Sequence, residues 1–560
     1  MESQMKLSDF LIAYLKKAGV RHLFGIPGDL VIKLFLKFGT PSGIDVITLS
    51  HEPGVGFAAD GYARSTGKIG VVCVTYGAGG HNMVNPIAGA FSEKLPILVI
   101  SGGPGEDERK LGVLIHHQAK EVESQYRIYK EVTCVAKVLS NNNHAAADID
   151  EVVQTMMQER RPGYMEIHRD IVDLPISVPD QIRTWDGSFA FTQSDHGKVV
   201  EAARDVAARL QQAKRPVLIV GIEVNRFGLT KEVIRLAEAL GVPVLTNILA
   251  KGAFPIDHPL SMGVHMGSLS HSAIHNLVEQ ADLVLSLGTL LTDVDLGNQP
   301  PSIPREKSIW IVEHRVHISF HTYTHVHIAD FVEALLRLPL PHFNEKVTYY
   351  NNLPDPSEET EKRTGHDPID MAVAIAEVNR FLSGRNDLMV ITESGDSVFA
   401  GLDIQVCGGG IYMAQGYYSS MGFSVPAALG AQIGTGVRPL VLCGDGAFQM
   451  TGQEIAQAPR YGLNPIILLF NNQGWGLFRP IVADSKLLSI PNWPYAELAR
   501  LWGGIGLQAH TASELREGLA IADKASSFVI IEIAIAPHDL SPVAKKYIEL
   551  AGKKAKMEGK

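Results

Sequence analysis

The sequence predicts an α/β protein made of three doubly wound domains, each built on a parallel sheet. Short apolar runs rich in β-branched residues recur along the chain, and several lead directly into glycines. Such runs are typical of strands buried on both faces of a parallel sheet. Helical segments are expected between them, and 560 residues provide room for several cores.

The first predicted domain spans residues 1–185. It opens with an amphipathic helix at 7–18, and its strand candidates lie at 23–26, 71–75 and 97–100. The segment 176–193 carries Pro, Asp and Ser and is predicted to be a linker.

The second and third predicted domains cover residues 195–340 and 360–545. A stretch at 337–365, rich in Pro, Asn and charged residues, is predicted to link them. The strand candidates of these two domains lie at 216–220, 242–245, 283–287, 309–312, 388–391, 440–443 and 466–470.

Composition excludes several classes of partner. A net charge of −10 and a pI near 6.1 argue against a nucleic-acid surface. No stretch is long and apolar enough for a membrane span, and the N-terminus does not resemble a signal peptide. The four cysteines show no paired metal spacing, so we expect a cytoplasmic protein with reduced thiols.

Two strand candidates of the third domain end in polar residues. One leads into Gly444, Asp445 and Gly446, and the next ends at Asn471 and Asn472. Because parallel strands end at the same edge of a sheet, Asp445 and Asn472 are expected to point at one spot. Such oxygen ligands suit Mg²⁺, which also binds ligand phosphates. Turn residues in a plain strand-turn-helix-strand unit are the alternative, but the combination favours a phosphorylated cofactor.

This combined pattern resembles the signature of thiamine-diphosphate enzymes. The resemblance implies thiamine diphosphate and Mg²⁺ as cofactors, with Asp445, Asn472 and the carbonyl of Gly474 as metal ligands. A loop after the strand candidate 388–391, containing Ser397, is similar to the other loop at the diphosphate. The remaining cofactor contacts implied by the resemblance are Gly444, Gly446, Ala447 and Phe448.

Glu52 stands at the end of an apolar run and just before a predicted helix. By itself it could be a carboxylate favoured by the helix dipole. The segment 51–64, however, resembles the activating glutamate segment of the pyruvate-decarboxylase superfamily. The resemblance implies that Glu52 binds N1′ of the aminopyrimidine and favours the imino tautomer, which takes the C2 proton.

The glycine-rich stretch 75–82 follows a strand candidate. A dinucleotide fingerprint would need a glycine at Asn82, so that match fails. We expect a loop that approaches the cofactor closely, with Thr75 among its contacts.

Two adjacent histidines, His116 and His117, lie in a loop. They could be surface residues without a function, or they could form a weak metal site. On a strand, adjacent side chains would point apart, which argues against chelation of one ion by both. The pair resembles the His-His motif of the 2-oxo-acid decarboxylases, which the acetolactate-synthase branch lacks. The resemblance implies proton transfer by both histidines with Asp29, which alone could be a helix cap. Gln118 is predicted to line the substrate pocket.

The segment 417–423 resembles the part of the family that supports the bent cofactor. Met421 aligns with the apolar residue that props the bend, and the carbonyl of Ser419 is implied to hold the 4′-amino group. A methionine in an ordinary core is the alternative.

The loop after the double Asn departs from the pyruvate decarboxylases, which carry a catalytic Glu there. Phe478 occupies that position, close to Trp475. This apolar wall resembles the phenylpyruvate-decarboxylase branch, in which an Asp of the central domain is thought to help instead. Asp293 is the matching candidate, with a solvated loop acid as the alternative.

These features predict non-oxidative decarboxylation of 2-oxo acids to the aldehyde and CO₂ through the ylid of the cofactor. Aryl pyruvates, phenylpyruvate and indole-3-pyruvate, are the expected substrates. A carboligase or synthase, a decarboxylase of aliphatic or branched 2-oxo acids, and a non-enzymatic homologue are the alternatives. The resemblance implies a cofactor held between two subunits, so we expect a homodimer at least and a homotetramer as the assembly.

Overall fold

The computed structural model describes residues 5–39, 41–190, 193–297, 299, 303–343, 367–406, 410–482 and 485–558. The chain forms two compact units. The first comprises Met1–Phe191, Val425–Gly436 and Thr451–Tyr461, and the second comprises Thr192–Ser424, Val437–Met450 and Gly462–Lys560. Two short segments from the third predicted domain therefore belong to the first unit.

The first unit is built on a six-stranded parallel sheet in the order β2-β1-β3-β4-β6-β5. The central strand β3 is buried along its whole length, as expected for an apolar strand covered on both faces. The strands are β1 (His22–Gly25), β2 (Asp45–Thr48), β3 (Gly70–Val74), β4 (Ile97–Gly103), β5 (Val135–Leu139) and β6 (Gly163–His168).

The first unit also contains the following helices, several of which place apolar residues in one core with the strands. They are Leu7–Lys17, Ile32–Gly39, Glu52–Thr66, Ala78–Asn82, Val84–Ser92, Glu106–Lys110, Ser124–Val132, Ala145–Glu159, Asp180–Thr184 and most of Ser424–Thr435, together with the 3₁₀ helix Gly452–Tyr461. The strand order reverses between β1 and β3, and loops that leave the carboxyl ends of strands at such a point commonly carry ligand sites.

The second unit contains two sheets. The first has seven strands in the order β13-β12-β11-β10-β7-β8-β9. In it, β12 pairs antiparallel with both β11 and β13. Its strands are β7 (Pro216–Val220), β8 (Val244–Thr246), β9 (Ser261–Val264), β10 (Leu283–Leu287), β11 (Ser308–Val312), β12 (Arg315–Ile318) and β13 (His321–Thr324). Its helices are His196–Gln212, Ile222–Arg226, Thr230–Leu240, Ser272–Gln280 and Ile328–Leu336, with 3₁₀ turns at Ile248–Ala250 and Arg305–Lys307.

The other sheet of the second unit is parallel and has the order β15-β14-β16-β17-β19-β18. Its strands are β14 (Leu388–Thr392), β15 (Tyr412–Ala414), β16 (Arg438–Gly444), β17 (Ile466–Asn471), β18 (Ile505–Ala509) and β19 (Val529–Ala534). Its helices are Met371–Leu382, Asp396–Ala400, Asp445–Thr451, Tyr495–Leu501, Ala512–Lys524 and Pro542–Glu558, with 3₁₀ turns at Gly476–Phe478 and Ser485–Leu488. The strand order reverses between β14 and β16.

The three parallel-dominated sheets confirm the predicted fold class, and each strand candidate overlaps an observed strand. The antiparallel extension β12–β13 was not predicted, and the first linker contains the short helix Asp180–Thr184. Most of the second linker lies outside the described residues, and the predicted domain limits stay a prediction. None of the described helices combines the length and the apolar character that a membrane crossing needs.

Candidate active site

Asp29 and Thr75 lie where the strand order of the first sheet reverses. Asp29 follows β1 and Thr75 follows β3, so both stand at the carboxyl edge of neighbouring strands. The Thr75 hydroxyl donates a hydrogen bond to Asp29 Oδ1 at 3.3 Å. The topology therefore brings together two residues that are far apart in the sequence.

The two predicted histidines converge on Asp29. His116 Nε2 makes a short contact with Asp29 Oδ2, and His117 Nε2 lies 3.6 Å from Asp29 Oδ1. The expectation from strand geometry was wrong, because the pair forms a turn in which His117 has a left-handed φ of 66°. All three side chains are substantially exposed, with nitrogen and oxygen atoms close enough to share a proton or an ion.

Partial desolvation raises the pKa of Asp29, but other influences outweigh it. The hydrogen bond with His116, the backbone N–H of Leu30 and the charges of both histidines together hold the pKa below its ordinary value. Asp29 is therefore an anion at neutral pH that orients the two imidazoles.

A buried polar network supports the loop that carries the histidines. A side chain at Gly77 would collide with the carbonyl of His117, and the Gly77 N–H donates to Gln125 Oε1 at 2.6 Å. Gln125 Nε2 in turn donates to Tyr164, whose hydroxyl donates to Glu166. Burial raises the pKa of Glu166 to about 7, although bonds from Tyr164 and Arg109 act against it. Gln118 accepts a bond from the Ile115 N–H within the same turn.

Glu52 begins the helix Glu52–Thr66 and is half-buried. Asn82 Nδ2 donates to Glu52 Oε2 at 3.1 Å, and a side chain at Gly79 would reach to 3.4 Å from Glu52 Oε1. The loop 75–82 thus comes close to Glu52, and Asn82, where the dinucleotide fingerprint fails, hydrogen-bonds the predicted activating carboxylate.

In the second unit, Asp445 and Asn472 lie at the carboxyl ends of the neighbouring strands β16 and β17. Both side chains accept from the same N–H, that of Gly474, with distances of 3.1 Å to Asp445 Oδ2 and 3.2 Å to Asn472 Oδ1. The predicted convergence of the two oxygens is therefore present, and Gly474 lies between them.

Asp445 is almost fully buried, with 2% of its surface exposed. Burial raises its pKa to about 6, and N–H bonds from Gly446, Gly474 and Gln473 offset part of this effect. Gly474 leaves no room for a side chain, since a Cβ would lie 1.9 Å from the carbonyl oxygen of Leu488.

The loop after β14 is fixed by acids that sequence reasoning did not assign. Glu393 is fully buried and accepts bonds from the N–H and hydroxyl of Ser424 and from the Ser394 N–H. Asp396 accepts from the N–H and hydroxyl of Ser541, and the predicted contact Ser397 is buried in the next position. The sequence signal that could have identified Glu393 and Asp396 is the Glu-Ser-Gly-Asp segment directly after a strand.

Met421 and Ser419 lie in the turn after β15. Ser419 is exposed with a left-handed φ of 55°, and Met421 is partly buried. Gln415 orders this turn by accepting from the Ser420 N–H at 2.7 Å. The left-handed conformation at Ser419 is uncommon for a residue with a side chain and occurs more often at functional turns.

The candidate substrate-wall residues differ in exposure. Trp475 packs so closely on Gly446 that a Cβ there would lie 2.4 Å from its ring, whereas Phe478 is 52% exposed. Asp293 is exposed and accepts from the Val294 N–H at 3.0 Å. The neighbouring Asp295 is buried and bonded to Thr292 and Asn247, so only Asp293 offers an accessible carboxylate in this stretch.

The residues of the second unit fit a magnesium ion with a diphosphate. A carboxylate, an amide oxygen and a nearby backbone carbonyl form a hard oxygen donor set. A Cβ at Gly395 or Gly444 would meet nothing within 4 Å, so both turns face open space beside buried strand ends. The open glycines and the oxygens fit a phosphorylated group.

Comparison with known proteins agrees with this geometry. Residues 5–128 match the N-terminal TPP binding domain of thiamine pyrophosphate enzymes, 203–338 match the central domain, and 393–533 match the C-terminal TPP binding domain. The indole-3-pyruvate decarboxylase of Azospirillum brasilense is 36% identical over 97% of this chain and 98% of its own length. The chain belongs to the thiamine pyrophosphate enzymes.

Pyruvate decarboxylases are also similar to the chain. The Pisum sativum pyruvate decarboxylase 1 is 30% identical over 94% of this chain and 89% of its own length, and the Neurospora crassa enzyme is 29% identical over 93% and 91%. The protein is therefore a thiamine-diphosphate-dependent carboxy-lyase that decarboxylates 2-oxo acids, with Mg²⁺ as the partner metal of its cofactor.

Proposed function

We propose that this decarboxylase acts preferentially on aryl pyruvates such as phenylpyruvate and indole-3-pyruvate. The observation that carries the proposal lies in the loop after β17. There, this chain has the exposed ring of Phe478 at the position where a glutamate was expected. A carboxylate there would repel the substrate carboxylate, and an aromatic wall offers apolar area to an aryl group. The similarity to an indole-3-pyruvate decarboxylase supports the same substrate class.

We assign the proton transfers to Asp29, His116 and His117. The carbon that loses CO₂ must receive a proton before the aldehyde departs, and thiamine diphosphate would supply the electron sink for decarboxylation when bound. The anionic Asp29 fixes both imidazoles, so a histidine can hold a proton at an exposed nitrogen. Glu52, oriented by Asn82, is assigned to the aminopyrimidine nitrogen.

The remaining cofactor and substrate assignments follow the same logic. Asp445, Asn472 and the Gly474 carbonyl would hold Mg²⁺, and Gln118, Trp475 and Phe478 would line the substrate pocket. Asp293 is proposed as the carboxylate that compensates for Phe478, because its side chain is accessible. Thr75, Ser397, Ser419, Met421, Gly444, Gly446, Ala447 and Phe448 complete the proposed cofactor contacts.

The proposed assembly is a homodimer at least, and a homotetramer by resemblance. A reducing cytoplasm is the proposed location, in keeping with the free thiols of Cys73, Cys134 and Cys443. Sedimentation analysis with and without cofactor measures the oligomeric state. An active monomer would contradict the proposed assembly.

The substrate proposal is tested by measuring kcat/KM for pyruvate, a branched 2-oxo acid, phenylpyruvate and indole-3-pyruvate under one set of conditions. We expect the two aryl substrates to have the highest values, and a higher value for pyruvate would overturn the proposal. Mass analysis of the products separates the aldehyde from the acetohydroxy acid that a synthase would form.

A further inference from the structure

The 3₁₀ helix Gly452–Tyr461 contacts the backbone that leads into Glu52. Its side chains reach the end of β2 and the residues that follow, Thr48–His51. The helix belongs to the first unit, although the chain enters it directly from the helix that begins at Asp445.

The spacing of the contacting side chains follows from 3₁₀ geometry. Such a helix has about three residues per turn, so residues three apart share one face. Glu454, Gln457 and Arg460 have this spacing in a helix of 10 residues, whereas most 3₁₀ helices are shorter. Gln457 Nε2 donates to Ser50 Oγ at 3.0 Å, and Arg460 donates to Thr48 Oγ1 at 2.9 Å.

Glu454 makes the central contact of this face. It is fully buried, and its two oxygens each accept one backbone N–H, from Ser50 at 2.9 Å and from His51 at 3.0 Å. The N-cap residue His51 supplies no side-chain cap to the helix that Glu52 begins. A Cβ at Gly54 would lie 2.7 Å from Glu454 Oε1, so the glycine lets the carboxylate lie against the first turn.

We propose that Glu454 is a positioning residue for Glu52. Its carboxylate fixes the peptide units Leu49–Ser50 and Ser50–His51, which lead into Glu52, and thereby sets the direction in which the Glu52 side chain leaves the helix. The inference rests on the proposed role of Glu52 at the cofactor. A displacement of about 1 Å in a reacting group can cost on the order of a hundredfold in rate, so such a contact affects turnover.

The contact requires a carboxylate with two acceptor oxygens. A glutamine would keep one acceptor and turn an amide N–H₂ toward the second donor. We therefore expect Glu454→Gln to lower kcat by roughly tenfold and Glu454→Ala by roughly a hundredfold. KM should change little, because the hydrogen bonds of Glu454 go to the backbone of Ser50 and His51 and not to a side chain of the proposed substrate pocket.

The test combines three measurements on the full-length protein. Amide hydrogen exchange of Ser50 and His51 is measured without cofactor, exchange of the cofactor C2 proton with deuterium is measured in the holoenzyme, and kcat and KM are measured on phenylpyruvate. Faster amide exchange, slower C2 exchange and reduced kcat in Glu454→Gln support the proposal. Gln457→Ala, which loosens the same segment from another position, should show the same pattern more weakly.

Glu377→Gln is the matched control. Glu377 is equally buried and bonded to Arg516, but it lies in the helix Met371–Leu382 of the second unit. We expect this variant to lose thermal stability and keep its kcat. Two results in Glu454→Gln would each overturn the proposal. One is a wild-type rate of amide exchange at Ser50 and His51, and the other is a wild-type rate of C2 exchange together with a wild-type kcat. A wild-type enzyme that turns over no 2-oxo acid would instead refute the proposed function, while amide exchange still reports on the contact.

Discussion

The candidate site residues of the first unit and those of the second unit hold their acids in different ways. In the first unit, Asp29, His116 and His117 are exposed and bonded mainly to one another, so their protons can exchange with solvent or substrate. In the second unit, Asp445 and Glu393 are buried and bonded to backbone N–H groups, and glycines lie next to the proposed metal ligands.

The difference reflects two tasks. A group that moves a proton must reach both protonation states and must be accessible. A group that holds a metal and a diphosphate must stay in one place, and buried backbone bonds provide that rigidity at the cost of desolvation. Burial therefore separates the groups expected to bind cofactor from those expected to act on the substrate.

The largest effect is expected from Asp445→Asn. Loss of the carboxylate removes the charged metal ligand, so Mg²⁺-dependent binding of thiamine diphosphate should be lost and activity should fall by about a thousandfold or more. Titration calorimetry with cofactor and Mg²⁺ measures the binding, and the exposed Asp387→Asn on the same sheet is the control. Normal cofactor binding in Asp445→Asn would contradict its assignment as a metal ligand.

Glu52→Gln is expected to separate binding from chemistry. The variant should keep cofactor binding and lose turnover by about 10²–10⁴-fold, because its amide cannot share a proton with the aminopyrimidine. Exchange of the cofactor C2 proton is the measurement. A wild-type exchange rate in the variant would remove Glu52 from this role.

Asp29→Asn is expected to cost on the order of a hundredfold in kcat with intact cofactor affinity. The neutral amide cannot take the place of the Asp29 anion, so it no longer orients both imidazoles through its charge. Pre-steady-state analysis should show that protonation and aldehyde formation slow more than CO₂ release. A loss of cofactor affinity as large as the loss in kcat would assign Asp29 to cofactor binding instead of proton transfer.

Phe478→Glu is expected to produce a smaller, selective effect. The new carboxylate should lower kcat/KM for phenylpyruvate by roughly tenfold and leave pyruvate much less affected, because it replaces apolar wall by charge. Leu487→Glu, an exposed apolar residue in the neighbouring 3₁₀ turn, is a control for added charge. Parallel losses on both substrates would place Phe478 outside the substrate wall.

The smallest effect concerns stability and involves a buried group of the second unit. Lys251 is buried and donates to the carbonyls of Gly401, Leu402 and Ile404, and burial lowers its pKa to about 7. Its unfolded pKa is about 10.4. Between these values the unfolded chain binds the proton more tightly, so the Lys251 contribution to the free energy of unfolding rises with pH. Urea unfolding from pH 7 to 10 should show a shallower rise in Lys251→Met, and an equal slope would contradict the assignment.

Local sequence patterns predicted some of the side-chain contacts that the structure shows. Asp445 and Asn472 were placed together because parallel strands of one sheet end at one edge, and the shared bond from Gly474 bears this out. The two histidines were expected to point apart as on a strand, but a turn with positive φ at His117 brings both imidazoles to Asp29. Asn82 was noticed only as a mismatch, and its bond to Glu52 depends on the fold.

The sequence by itself determined the α/β class, the family and the cofactor. The α/β class follows from short-range periodicity, and the family and cofactor follow from the resemblance of short motifs such as those around Glu52 and Asp445. Tertiary structure alone decided which acids are buried, the distances from Asp29 to the two histidines, and that Glu454 holds the backbone before Glu52. Such contacts join residues distant in the chain, and only packing determines their distances and exposure.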